Sequence, residues 1–248
     1  MLARFRDTTN ENALRRRFDG GGFDPSLYGT LALWLDAADS STLTLSSTTV
    51  TQWRDKSTLA NNAAPVGSPV FASTGLNGKQ SISLDGASMG FRGALANTGT
   101  VSTTFIVATL NTSTGTNGRL ISLAGTTGDD YNSTSFVIPF IRPTSQSVAG
   151  FRNNSYLSTK AIPAYDAPFY ASSTFDATNN TVHVNGTAAT AAPSTGTFAI
   201  AKYSIGTQPN IAGDWWKGYV SEVLIYNSAL STPNRQAVEA YLATKWGI

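Results

Sequence analysis

A chain of 248 residues has room for a large core, but its 17 basic and 15 acidic residues leave a formal charge of only +2, so no whole-molecule field draws nucleic acid or an anionic membrane to it. The absence of cysteine excludes disulfides, thiolate metal sites and thiol nucleophiles. Only 13% of the residues are charged, and Gly, Ser, Thr and Asn separate short apolar runs, none of which approaches a secretory signal or a membrane span; this is the composition of strands joined by polar turns.

Residues 1–28 stand apart. Arg4, Arg6, Arg15, Arg16 and Arg17 alternate with Phe5, Leu14 and Phe18, and Gly20-Gly21-Gly22 then loosens the backbone. Asp7, Glu11, Asp19 and Asp24 offset most of that charge. The segment reads as an extended arm. It is either a frayed terminus or a docking peptide whose guanidiniums and isolated aromatics (Arg4, Phe5, Arg6, Arg15, Arg16, Arg17, Phe18) order against a partner's surface.

From Leu31 onward the signals are those of strands. Leu31 to Leu35 is an apolar run closed by Asp36, Val50 to Asp55 alternates, and Ser81 to Leu84 alternates up to Asp85-Gly86. Further strands are predicted at 103–110, 119–123, 135–141, 169–175 and 199–205, each bounded by Gly, Asn, Asp or Pro. Thr181 to Gly186 predicts a tight hairpin: Val182 and Val184 share one face, His183 takes the other as a solvent-facing residue, and Asn185-Gly186 supplies the turn. The long aromatic-rich run Gly218 to Tyr226 predicts a central strand. After it, Ser231 or Thr232 caps a helix that tolerates Pro233 in its first turn and sets Val238, Tyr241, Leu242 and Trp246 on one stripe, which needs a sheet to cover.

Three segments carry a resemblance to a known family. Leu33-Trp34-Leu35-Asp36-Ala37 with Trp53-Arg54-Asp55-Lys56-Ser57, then Asn77 to Gly86, then Gly218 to Tyr226 with Leu230, Arg235, Glu239 to Leu242 and Lys245-Trp246-Gly247 resemble the concanavalin A-like lectin/glucanase superfamily, and within it the laminin-G-like domains found in bacteriophage structural proteins and secreted bacterial proteins. The resemblance implies an all-β fold over residues 29–248, a two-sheet antiparallel jelly-roll sandwich with a short C-terminal helix. It implies no ligand, because a fold of this kind hosts lectins, enzymes, adhesins and spacers alike.

The site inventory is correspondingly thin. A glucanase needs paired carboxylates about 5 Å apart, and the chain has only Glu11, Glu222 and Glu239. Glu222 has no acidic neighbour at strand spacing and reads as a structural residue paired with a helix arginine. A serine-histidine-acid triad has only His183 to draw on and no nucleophile elbow. Asp129, Asp130 and Asp214 offer oxygen ligands of the kind Ca²⁺ takes, at no diagnostic spacing, so no metal or other cofactor is expected. Asp129-Asp130-Tyr131 and Asp214-Trp215-Trp216 are the candidate glycan contacts, with one residue of each adjacent pair turned inward. Trp34, Trp53 and Trp246 are assigned to the core.

Together these features predict a non-enzymatic bacteriophage virion protein on the particle surface. It docks by its arm to capsid or tail proteins, self-associates there, displays a lectin-like head toward host glycans, and engages neither nucleic acid nor membrane. The alternative is a secreted bacterial carbohydrate-binding module or adhesin.

Overall fold

Alternating apolar and hydroxyl-bearing residues make strands of most of the chain. The computed structural model describes residues 23–95, 101–111, 118–125, 135–142 (backbone), 146–152, 155–194, 200–211 and 213–248. In chain order the strands are β1 Leu31–Asp36, β2 Leu43–Ser46, β3 Thr49–Trp53, β4 Ala64–Val66, β5 Val70–Ala72, β6 Ser81–Asp85, β7 Gly90–Ala94, β8 Ser102–Ala108 and β9 Gly118–Ala124. There follow β10 Ser135–Arg142, β11 Ser147–Arg152, β12 Ser155–Ala161, β13 Phe169–Phe175, β14 Asn179–Val184, β15 Thr187–Ala188, β16 Ala192–Pro193, β17 Lys202–Ile205 and β18 Lys217–Tyr226, before helix α1, Thr232–Trp246.

Among the described residues these strands form two antiparallel sheets. One runs β15-β14-β13-β8-β18-β6-β5-β3-β2, with β1 also on β18 and β16 on β14; the other runs β12-β11-β10-β9-β17-β7-β4. The expected central position of the closing strand is observed. β18 pairs with β8 along one edge, and along the other with β6 through residues 217–220 and with β1 through residues 222–226.

Side-chain alternation assigns the layers. In β8, Ile106 and Ala108 join the inter-sheet core with Trp53, Phe91, Ile121, Tyr203 and Trp216, whereas Phe105 and Val107 join a second cluster with Val238, Leu242 and Trp246 of α1. In β18, Val223 and Ile225 face the first cluster while Leu224 and Tyr226 belong to the second. The first sheet is therefore buried on both faces around β8 and β18, which is why those strands read as continuous apolar runs.

Local chemistry accounts for the boundaries. Ser231 caps α1 by accepting from the Asn234 N–H, Pro233 sits in its first turn, and Gly247 ends it at φ +69°. Asn185 (φ +47°) and Gly186 (φ +75°) make the predicted two-residue turn. The strand expected over 199–205 begins at Lys202, and the one expected to reach Asp55 stops at Trp53. Residues 23–28, assigned to the arm by composition, include a turn of 3₁₀ helix, Pro25–Tyr28, that belongs to the body: the Phe23 ring stacks 4.0 Å from that of Tyr241, and the Tyr226 hydroxyl donates to the Pro25 carbonyl. The arm residues Arg4 to Arg6 and Arg15 to Phe18 lie outside the described residues.

Candidate functional site

The residues that carry the family resemblance build a charge network between the first strand, the closing strand and the helix. Asp36 and Glu222 are directly paired across β1 and β18. Glu222, fully buried, accepts from the indole N–H groups of Trp34 (2.8 Å) and Trp246 (2.7 Å), the Tyr241 hydroxyl (2.8 Å) and Lys245 Nζ (2.8 Å). Its partner is thus a helix lysine, not the expected arginine; Arg235 pairs with Glu239 one turn along α1. Burial pushes the Glu222 carboxyl up, with Lys245 opposing. Lys245 Nζ also reaches Asp36 Oδ1 at 2.6 Å, and Lys56 Nζ bridges Asp36 Oδ2 (3.1 Å) and Asp39 Oδ2 (2.8 Å) while lying 4.2 Å from the centre of the Trp34 ring. Trp53 and Trp246 are core, as expected, but Trp34 is half-buried and held by its N–H. Asp55 organises the loop behind Lys56, accepting from the backbone N–H groups of Trp34, Ser57 and Asn61. These motifs therefore account for architecture.

Under the N-terminal half of α1 lies a second polar cluster. Ser172 Oγ donates to Glu239 Oε1 (2.7 Å), and His183 is paired with Ser172 across β13 and β14. His183 is not solvent-facing as the strand pattern suggested. Its side of the sheet is covered, it is 7% exposed, and its Nδ1 has no hydrogen-bond partner in the structure. Burial, with Arg235 adding repulsion, lowers its pKa to about 4. The serine hydroxyl faces the acid and not the imidazole, so no serine-histidine-acid relay is formed.

The loop from β17 to β18 is of a different kind. Asp214 adopts φ +51°, and Arg119, at the head of β9 and fully buried, grips it twice: its backbone N–H donates to the Asp214 carbonyl (2.9 Å), and Nε (3.0 Å) and Nη2 (2.9 Å) donate to Oδ2. Gln208 Nε2 adds a bond to the same oxygen at 3.0 Å. This anchoring fixes the backbone just before the two tryptophans that follow. Trp216 turns into the core with no exposure, its indole N–H on the Thr109 carbonyl, and so offers no face to a sugar. Trp215 stays half-buried at the surface. Backbone bonds from Asn111 to Lys217 and from Asp166 to Leu110 bring the ends of β8 and of the β12–β13 loop to the same rim. Asp129, Asp130 and Tyr131 lie outside the described residues. Among the described residues no three His, Cys, Asp or Glu side chains converge as a metal site. Arg119 and Gln208 gave no signal in the sequence, because a lone arginine before an apolar run and a glutamine in a polar loop have no recognisable spacing to Asp214.

No family model matches the chain, and none of the curated proteins matches it. Among solved structures it is similar to domain 4 of AbnA, a GH43 extracellular arabinanase from Geobacillus stearothermophilus, in complex with arabinotriose: 16% identity, 86% of this chain, 99% of that chain, TM-score 0.61. It is also similar to Trypanosoma rangeli sialidase (12% identity, 96% of this chain, 39% of that chain, TM-score 0.61) and to the receptor binding domain of botulinum neurotoxin C/D mosaic serotype (12%, 86%, 51%, 0.59). In the last two the chain spans only part of the longer protein. At these identities what is shared is the fold.

Proposed function

We propose that the chain is a non-catalytic carbohydrate-binding module of the concanavalin A-like, laminin-G-like kind, with its ligand on the rim around Asp214 and Trp215. The observation that carries the reading is the Arg119 grip on Asp214, which holds the loop that carries the half-buried Trp215 beside polar groups, the residue types that sugar rings stack and hydrogen-bond against. It is supported by the shared fold of a domain solved with arabinotriose. The non-catalytic part is supported by the Asp36 and Glu222 carboxylates, which lie buried and occupied by lysines and indoles.

The test is titration of the full chain with arabinotriose and a panel of neutral and sialylated oligosaccharides, alongside Trp215→Ala. Saturable binding by the wild type and a loss of tenfold or more in the variant, at unchanged thermal stability, is the expected result. Equal affinities would move the ligand off the rim, and no binding to any glycan would remove the reading.

The finer setting is a bacteriophage particle surface, with the arginines and phenylalanines of residues 1–22 docking the module to virion proteins. This rests on the arm's composition, and deletion of those residues should abolish cosedimentation with particles.

A further inference from the structure

We propose that Lys245 and Asp36 condense into an intramolecular amide, with Glu222 carrying the protons, so that the first strand and the last helix are covalently joined.

All the groups such a condensation needs meet at one point. The nucleophile is Lys245 Nζ, 2.6 Å from Asp36 Oδ1 and 2.8 Å from Glu222 Oε2. The electrophile is the Asp36 carboxyl carbon, whose other oxygen, Oδ2, is bonded to Lys56 Nζ at 3.1 Å, a cation placed to stabilise the oxyanion of a tetrahedral intermediate. The proton carrier is Glu222, held by the indoles of Trp34 and Trp246 and the Tyr241 hydroxyl.

Atoms and charge balance without any co-reactant. The Lys245 ammonium passes one proton to Glu222 and becomes a neutral amine, and its lone pair forms the C–N bond to Asp36 Cγ. The nitrogen then loses a second proton, the C–Oδ1 bond breaks, and Oδ1 leaves with both protons as water. An ammonium and a carboxylate thus become an amide and one water, and Glu222 is regenerated. Burial favours the intermediate state in which Glu222 is protonated, since it already holds that carboxyl above the usual range.

In open water an ammonium and a carboxylate stay apart as ions. Here the side chains of Lys245, Asp36 and Glu222 are 19%, 5% and 0% exposed, beneath aromatic rings. Fixed juxtaposition of reacting groups is equivalent to an effective concentration of about 10⁵–10⁸ M, and a water-poor site favours loss of water.

The test uses the full wild-type chain and does not depend on the glycan reading. After overnight incubation at 37 °C and digestion with trypsin, the expected product is a branched peptide joining residues 18–54 to residues 236–248. It should be lighter than the sum of the two by one water, with cleavage after Lys245 blocked. Lys245→Arg, which keeps the cation but forms no amide under these conditions, should give only unlinked peptides, and Lys56→Met should slow linkage. Finding residues 18–54 unlinked and a released Trp246-Gly247-Ile248 tripeptide in the wild type would overturn the proposal.

Discussion

Glu222 beneath the helix and Asp214 on the rim are each gripped by a cation, yet the aromatics around them are used in opposite ways. At Glu222 two indoles and a phenol spend their polar hydrogens on the carboxylate, with Trp246 fully buried and Trp34 and Tyr241 half-buried. At Asp214 the donors are Arg119 and Gln208, and the adjacent Trp215 is half-buried. The first arrangement commits its polar hydrogens to one buried carboxylate. The second uses a buried cation to fix the loop that carries Trp215. The most recognisable stretch of sequence therefore marks a part of the molecule whose polar groups serve architecture.

The comparison breaks most visibly at Glu222. Glu222→Leu leaves two indole N–H groups and a phenol without their acceptor and takes from Lys245 one of its two carboxylates, and should cost about 3–5 kcal/mol in urea unfolding, with glycan affinity per folded molecule unchanged. At the rim, Arg119→Met should cost less, about 1.5–3 kcal/mol for the lost bonds to a charged group, while abolishing glycan binding as Asp214 and Trp215 lose their fixed geometry. If Glu222→Leu removed binding and Arg119→Met did not, the assignment of roles to the two regions would be reversed.

His183 sharpens the contrast, because it is the poorly partnered group under the helix. Its folded pKa, about 4, lies below the unfolded value of 6.5. The unfolded chain therefore binds the proton first as pH falls. Stability contributed by the neutral imidazole is present in full above pH 6.5, declines between about 6.5 and 4, and changes no further below that. Glu222, pushed up by burial, acts in the opposite sense as pH rises past its unfolded value. The difference between wild type and His183→Gln, measured as urea midpoints from pH 7 to 4, isolates the histidine: the variant should gain on the wild type as pH falls, and parallel curves would refute the assignment. The smallest effect is expected from Ser231→Ala, about 1 kcal/mol for a lost helix cap, with binding unaffected.

Sequence patterning made the architecture legible where chemistry repeats at short range. The alternation in β6, the Asn-Gly turn after β14 and the Ser231-Thr232-Pro233 start of α1 all occur as read. The edge strands β2, β4 and β12 and the short strand β5 have no sustained apolar alternation to read, and the interior strands β7 and β11, broken by Gly93 and Gly150, were not read either. The apolar stripe of α1 was incomplete for a related reason: Arg235 and Glu239 are buried on it, and charged residues weaken the very periodicity that would have placed them. The half of the candidate rim that was legible, Asp214 and Trp215, announced itself by residue type. The half that was not, Arg119 and Gln208, depends on contacts across the fold between residues 95 positions apart or in an unpatterned loop.

β18 also gives the module a direction. Its first residue, Lys217, follows the Trp215 rim, and its last, Tyr226, bonds to Pro25, where the chain enters the fold. Ten residues of strand separate the two by about 30 Å. Anything tethered through the segment before Phe23 would hold this module by its base, with the tryptophan rim at the far tip, like a lamp on a stalk. Many copies fixed to one surface would then point their rims outward together, and weak contacts to a repetitive glycan would add as avidity.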